Sequence, residues 1–97
     1  MIISFANQGT EDIFNGRNSQ EAGKICPASI WKVATRKLDQ LNSATTLNDL
    51  RVPPRNRLET LVGDRIGQHS IRINKQYRIC FIWNSSGANQ VEIVDYH

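Results

Sequence analysis

The sequence ends in three neighbouring residues whose side chains accept, donate or relay protons: Asp95, Tyr96 and His97. A carboxylate, a phenol and an imidazole are groups that general acid–base catalysis uses. The apolar run 91–94 precedes them and predicts a β-strand that carries this cluster. We therefore expect the cluster to transfer protons on a bound substrate.

Strand geometry sets a condition on this cluster. In a regular strand, Asp95 and His97 face one side of the sheet and Tyr96 faces the other. The three side chains converge only if the chain end twists or leaves the strand. A lone tyrosine in such a place is more often a packing residue, and a lone arginine such as Arg72 is more often a surface residue.

Positive charge is concentrated in residues 51–78. This segment holds seven cations and two acids, a net charge of +5, whereas the other positions hold five cations and seven acids, a net charge of −2. Arginine supplies six of the seven cations, and its planar fork matches phosphate oxygens. A basic stretch is often only a solvated face, but clustering in predicted strands and turns favours a polyanion site.

Length and composition are those of one small globular domain spanning residues 1–97, with 39% hydrophobic and 22% charged residues. The N-terminal sequence lacks the pattern of a signal peptide, and no apolar run is long enough to span a bilayer. We expect a cytoplasmic protein without membrane contact. Cys26 and Cys80 are expected to be reduced and partly buried, although a disulfide stays open. The cysteines and histidines show no metal-ligand spacing, so neither metal nor cofactor is expected.

Hydrophobic periodicity predicts the elements that position these residues. Ile2, Ile3 and Phe5 predict a short strand, and Thr10 is the expected N-cap of a short helix that ends at 15–16. Residues 18–23 are a polar loop or the start of the next helix. An amphipathic helix is predicted over about 27–43, with an apolar stripe toward the core and a basic face of Lys32, Arg36 and Lys37.

The remainder of the chain predicts four strands in succession. They span about 57–62, 69–74, 77–83 and 90–96, with a hairpin turn at 84–87. Consecutive strands with short connections pair antiparallel, and the helices must cover one face of the sheet. The predicted fold class is α+β, with two N-terminal helices packed on a twisted, largely antiparallel sheet.

Three segments carry a resemblance to a known family: NRLETLVGDRIGQHSIRIN, QYRICFIW and the terminal VEIVDYH. They resemble the HigB-type toxins of bacterial toxin–antitoxin systems, also called plasmid maintenance killer proteins, in the RelE/ParE superfamily. The similarity extends nearly end to end, from MIISFANQGTEDIF onward. The motifs SIRIN, YRICF and DYH in this order are highly specific, whereas any one of them alone is weak.

The resemblance implies a RelE-like fold and a ribosome-dependent mRNA endonuclease, or mRNA interferase. Such a protein cuts mRNA in the ribosomal A site and contacts ribosomal RNA. A HigA-type antitoxin with a helix-turn-helix domain is implied as the partner that keeps the toxin inactive. Operator DNA is then bound only through the antitoxin.

The resemblance also implies roles for individual residues. Arg78 matches a phosphate-contacting arginine, and Asp95, Tyr96 and His97 match the active-site C-terminus. Arg72 lies in SIRIN. The predicted set of phosphate-binding residues is Arg57, Arg65, Arg72 and Lys75, and the basic helix face Lys32, Arg36 and Lys37 is a candidate ribosome contact. Two positions depart from the family pattern: Arg55 stands where glycine is usual, and Val62 stands where lysine is usual.

Metal-free RNA cleavage needs a base for the 2′-hydroxyl proton, donors for the charge on phosphorus, and an acid for the departing 5′-oxygen. His97 suits the acid, because imidazole titrates near neutrality, and Asp95 is then the base or the residue that orients it. Arg72 and Arg78 hold the phosphate, with Arg65 in support. Tyr96 stacks on a base or donates a hydrogen bond. The products are a 2′,3′-cyclic phosphate and a 5′-hydroxyl.

Two other functions compete with this one. The first is a ParE-like toxin that binds DNA gyrase without catalysis, and the second is a basic RNA-binding or antitoxin-like module without activity. The cluster at residues 95–97 favours the nuclease, because a gyrase-binding protein does not require these groups. Val62 is the feature that weakens this interpretation most.

Overall fold

The computed structural model describes residues 1–96, and His97 lies outside the described residues. Three α-helices precede four antiparallel strands in this part of the chain, and the strands lie in the order β1-β2-β3-β4. The elements are α1 Gln8–Phe14, α2 Gln20–Ile25, α3 Trp31–Ser43, β1 Glu59–Thr60, β2 His69–Arg72, β3 Tyr77–Asn84 and β4 Gly87–Asp95. This architecture confirms the predicted α+β class with helices ahead of a largely antiparallel sheet.

The core lies between α3 and one face of the sheet. Leu38 and Leu41 on α3 are fully buried in one cluster with Ile71, Ile79 and Phe81. Burying these aliphatic and aromatic side chains stabilises the contact by roughly 1.5–3 kcal/mol for each. The predicted apolar stripe is therefore confirmed as core. The helix differs in one respect, because its first turn is a separate 3-10 helix, Ala28–Ile30.

The expected first strand does not form a continuous ladder. Ile2 and Phe5 make isolated parallel bridges to Ala88 and Val91 on β4. Between these bridges, Gln90 adopts a positive φ of 53°, which interrupts the regular pleat of β4. The prediction of a strand was wrong in this detail, since an irregular partner cannot support a regular ladder.

The start of α1 also differs from the prediction. Asn7 is the N-cap, and its side chain accepts a hydrogen bond from the Thr10 backbone N–H at 2.9 Å. Thr10 itself is fully buried, and its hydroxyl accepts from the Ile93 backbone N–H at 3.1 Å. A buried threonine that joins two elements resembles a cap in sequence because both functions use the same hydroxyl.

The strands differ in length from the prediction. The segment expected as a strand over 57–62 contributes only Glu59 and Thr60, because Arg57 is left-handed with φ 46° and ψ 56°. Strand β2 ends at Arg72 because Ile73 and Asn74 both donate to the Tyr77 carbonyl in a turn. The hairpin between β3 and β4 lies at Ser85–Ser86, so β4 begins at Gly87, before the predicted residue 90.

Both cysteines are free and buried, as predicted for reduced thiols. Burial raises the pKa of the Cys26 thiol to about 11 and also raises the pKa of Cys80. Neither residue is a reactive thiolate at neutral pH, since the thiolate forms only near the pKa. Within residues 1–96, no helix combines the length and apolarity that crossing a membrane requires.

Candidate functional site

Arg78 lies on β3 and is only 8% exposed. Its Nε donates to the Ser70 hydroxyl at 2.8 Å, and its Nη2 donates to the Arg57 carbonyl at 2.6 Å. A buried charge requires such partners, and two bonds on different nitrogens fix the plane of the guanidinium. Arg78 is therefore a cation held in one orientation.

Tyr96 lies against this guanidinium. Its ring centroid is 5.7 Å from Cζ of Arg78, within the range of a cation–π contact. The Tyr96 backbone N–H donates to the Gln76 carbonyl at 2.6 Å, which keeps the residue beside the β2–β3 turn although β4 ends at Asp95. Tyr96 is 42% exposed, so the residue remains accessible to a ligand.

Asp95 has different neighbours from Tyr96. It pairs with Tyr77 in the sheet register, and its Oδ2 accepts from Gln76 Nε2 at 3.1 Å. Burial first, and then the charge of Asp95, raise the pKa of the Tyr77 hydroxyl. The expected alternation thus extends to residue 96. The predicted catalytic residue His97 lies outside the described residues, so its role stays a prediction.

Glu59 is the carboxylate that forms an ion pair with Arg78 in the described part of the chain. Its Oε1 lies 3.7 Å from Arg78 Nη1, and its side chain is 52% exposed. The sequence analysis did not select Glu59. Its pairing with Ser70, whose hydroxyl binds Arg78, is visible only once the strand register is known.

A basic groove lies where α3 meets the segment 54–57 and the turn after β2. Its cavity volume is about 750 Å³, and it opens to solvent. Of the ten residues that line it, none is acidic, and six are cationic: Arg36, Lys37, Arg55, Arg57, Arg72 and Lys75. Such a concentration of one charge favours a ligand with several phosphates.

Lys37 shows how this charge is held in place. Its Nζ donates to the Asn56 side-chain oxygen at 2.6 Å, and the fully buried Asn56 donates in turn to Gln40 and to the Leu50 carbonyl. Burial lowers the pKa of Lys37, and the charges of Arg36 and Arg55 lower it further. The groove thus holds cations at close quarters without an acid to neutralise them.

Two residues of the basic groove are neighbours of Arg78. Arg57 lines the groove and provides the carbonyl that binds the Arg78 guanidinium. Arg72 also lines the groove, and it is the register partner of Arg78 on the neighbouring strand. Its Nε donates to the Asn74 carbonyl at 2.9 Å. Arg57 and Arg72 thus connect the basic groove to Arg78.

The residues that line the basic groove are not the same set as the phosphate-binding residues predicted from the sequence. It brings Arg57, Arg72 and Lys75 together with Arg36 and Lys37 from the helix face. Arg55, which the prediction did not include, also lines the groove.

Two predicted residues lie outside the basic groove. Lys32 is exposed on α3 and does not line the cavity. Arg65 forms an ion pair with Glu92, with Nη1 and Oε1 3.1 Å apart, and the same nitrogen donates to the Gln68 side-chain oxygen. Val62 follows β1 and is 81% exposed.

The chemistry of the site follows from these positions. The Arg78 guanidinium and the groove cations can hold phosphates, the Tyr96 ring can stack on a base, and Glu59 and Asp95 can accept protons. Among residues 1–96, no three His, Cys, Asp or Glu side chains are close enough together to hold a metal ion.

Comparison with known proteins identifies relatives over nearly the whole chain. The model of the HigB-like toxin family, described as the RelE-like toxin of type II toxin–antitoxin system HigB, matches residues 3–97. The protein named Toxin HigB-1 of Vibrio cholerae serotype O1 is 39% identical over 83 residues, which is 86% of this chain and 84% of that protein. An uncharacterized protein of Haemophilus influenzae is 40% identical over 65 residues, 67% of this chain and 64% of that protein.

Proposed function

The chain belongs to the HigB-like toxin family of type II toxin–antitoxin systems, and we propose that it is a ribosome-dependent mRNA endonuclease that inhibits translation. Membership in a type II system implies an antitoxin partner. The observation that carries the proposal is the position of Arg78, a buried guanidinium that lies beside Tyr96 and is bonded to Arg57, a residue of the six-cation groove.

In the proposed complex, the mRNA backbone lies along the basic groove in the ribosomal A site. Arg72 and Arg57 contact phosphates next to the scissile one, and Nη1 of Arg78 contacts the scissile phosphate. Because Arg78 is already held by Ser70 and Arg57, it does not have to reorganise as charge develops on phosphorus. The exposed part of the Tyr96 ring stacks on a neighbouring base.

The proposed reaction is an attack by the 2′-oxygen on the adjacent phosphorus. It leaves a 2′,3′-cyclic phosphate on one product and a 5′-hydroxyl on the other. His97 is the proposed acid that protonates the 5′-oxygen, because imidazole titrates near neutral pH. In this step the side chain of His97 transfers a proton, and the positive charge of the arginines stabilises the reacting phosphate.

The proposed antitoxin is of the HigA type, with a helix-turn-helix domain that represses the shared operon. This toxin would then meet operator DNA only through the antitoxin. The exposed basic residues Lys32 and Arg36 on α3 are proposed contacts to ribosomal RNA, because backbone phosphates attract exposed cations.

The test is cleavage of a labelled mRNA by purified protein on programmed ribosomes. Arg78→Lys keeps the positive charge but removes the planar fork, and we expect it to slow cleavage about 100-fold. Arg17→Ala is the matched control, because Arg17 is an exposed cation outside the basic groove. We expect this control to cleave like the wild type.

Other outcomes would identify another function. Absence of cleavage by the wild type, together with gyrase-dependent DNA damage, would support the ParE-like alternative instead. Cleavage that persists unchanged in Arg78→Lys would remove Arg78 from the site.

A further inference from the structure

The carboxylate of Glu59 lies beside the guanidinium that we propose binds the reacting phosphate. Arg78 uses Nε for Ser70 and Nη2 for the Arg57 carbonyl, and its third nitrogen, Nη1, lies 3.7 Å from Glu59 Oε1. A phosphate that binds Nη1 of Arg78 must therefore lie next to Glu59. This adjacency follows from the contacts of one guanidinium alone.

Asp95 is placed differently. Its carboxylate accepts from Gln76, and its register partner is Tyr77 rather than Arg78. The register partner of Arg78 on β4 is Val94, which has no proton-accepting side chain. Of the two carboxylates considered, Glu59 is the one within ion-pair distance of Arg78.

We propose that Glu59 is the general base of the reaction and takes the proton of the 2′-hydroxyl. The sequence suggested Asp95 for this step, as the base or as the residue that orients it. This inference rests on the proposed endonuclease function. As Glu59 takes the proton, the 2′-oxygen forms its bond to phosphorus and the bond from phosphorus to the 5′-oxygen breaks. The 5′-oxygen leaves with a proton from His97, and Glu59 returns its proton to solvent.

The exposure of Glu59 suits this role. Its side chain is half exposed, so an RNA strand can reach the carboxylate without displacing buried residues.

The experiment compares two mRNAs on programmed ribosomes, one natural and one with sulfur in place of the 5′-oxygen at the scissile linkage. A thiolate leaves without being protonated, so the sulfur mRNA needs the base but not the acid. We expect Glu59→Gln to slow single-turnover cleavage about 100-fold on both mRNAs. We expect His97→Gln to cleave the natural mRNA slowly and to cleave the sulfur mRNA at about the wild-type rate.

Glu92→Gln is the matched control. It neutralises the carboxylate of the other sheet ion pair, Arg65–Glu92, and we expect the wild-type rate. Thermal melting of both variants tests folding, and an unchanged KM for Glu59→Gln distinguishes lost proton transfer from weaker binding.

Three results would overturn the inference while leaving the nuclease function intact. They are a wild-type rate in Glu59→Gln, a faster rate because the carboxylate competes with the phosphate, and recovery of Glu59→Gln on the sulfur mRNA. If the wild type cleaves neither mRNA, the proposed function fails and the inference fails with it.

Discussion

At the scale of single residues, the unusual backbone conformation of Arg57 helps to position the candidate site. Its φ of 46° lies in the left-handed region, which costs a non-glycine residue about 1–2 kcal/mol. In this conformation its carbonyl accepts the 2.6 Å hydrogen bond from Arg78. Strained residues persist where the surrounding structure holds them, and they are frequent at functional sites. Arg57 therefore positions Arg78 through its backbone and contributes charge through its side chain.

Replacing Arg57 by glycine or by alanine separates these two contributions. Both variants lose the guanidinium, so we expect both to cleave mRNA more slowly and to a similar degree. Glycine adopts a positive φ without a steric cost, so we expect Arg57→Gly to be about 1 kcal/mol more stable than Arg57→Ala. Urea unfolding of the two proteins measures the difference. Equal unfolding free energies would show that residue 57 carries no strain.

At the scale of elements, the basic groove is a product of assembly. Helix α3 contributes Arg36 and Lys37, the segment 54–57 contributes Arg55 and Arg57, and the end of β2 with its turn contributes Arg72 and Lys75. Mutual repulsion works against this arrangement. Burial lowers the pKa of Lys37 most, and the charges of Arg36 and Arg55 lower it further. Because the folded-state pKa is lowered, the unfavourable charge of Lys37 is fully present at neutral pH. It is relieved as the pH rises through the folded-state pKa.

Arg55→Ala tests whether the cations that repel one another in the basic groove bind RNA together. We expect the pKa of Lys37 to rise and the unfolding free energy at pH 7 to increase slightly, by no more than about 0.5 kcal/mol. We also expect weaker binding of single-stranded RNA, with the slope of log affinity against log salt reduced by about 0.7. Fluorescence anisotropy across a salt series measures the slope, with Arg17→Ala as the control. An unchanged slope would place Arg55 outside the RNA path.

At the scale of the whole molecule, the N-terminal segment and α1 hold β4 in place. Residues 1–6 exchange backbone hydrogen bonds with β4 at Ala88 and Val91, and the Thr10 hydroxyl accepts from the Ile93 N–H. Strand β4 leads directly to Asp95 and Tyr96. The position of these two residues thus depends on residues more than eighty positions earlier.

Thr10→Val removes this connection with little change in shape. The Ile93 N–H would remain buried without a partner, so we expect the unfolding free energy to fall by about 1–3 kcal/mol. Thr60→Val changes the same side chain at an exposed position, and its effect should stay within about 0.5 kcal/mol. Thermal melting compares the two. Equal melting temperatures would mean that the Thr10 bond contributes nothing to stability.

Local patterns predicted the elements well. The three- and four-residue apolar steps of α3 and the alternation in β3 and β4 depend on short-range geometry, so they are readable in sequence. The cap at Asn7 is a local contact with the Thr10 N–H, and it was missed because Thr10 itself resembles a cap. The brief β1 and the broken pairing of residues 2–5 were not predicted, because each depends on contacts with a distant element. The order of motifs also sufficed for the family, which the comparisons confirm.

The sequence by itself determined the α+β class, the concentration of positive charge in residues 51–78 and membership in the HigB-like toxin family. Only the tertiary structure decided which of those charges act together. Strand register places Arg72 opposite Arg78 and Asp95 opposite Tyr77, and it brings Glu59 to Arg78. The packing of α3 brings Arg36 to Lys75 across the basic groove. Register and packing are long-range properties set by burial of the core, and no local pattern of residues encodes them.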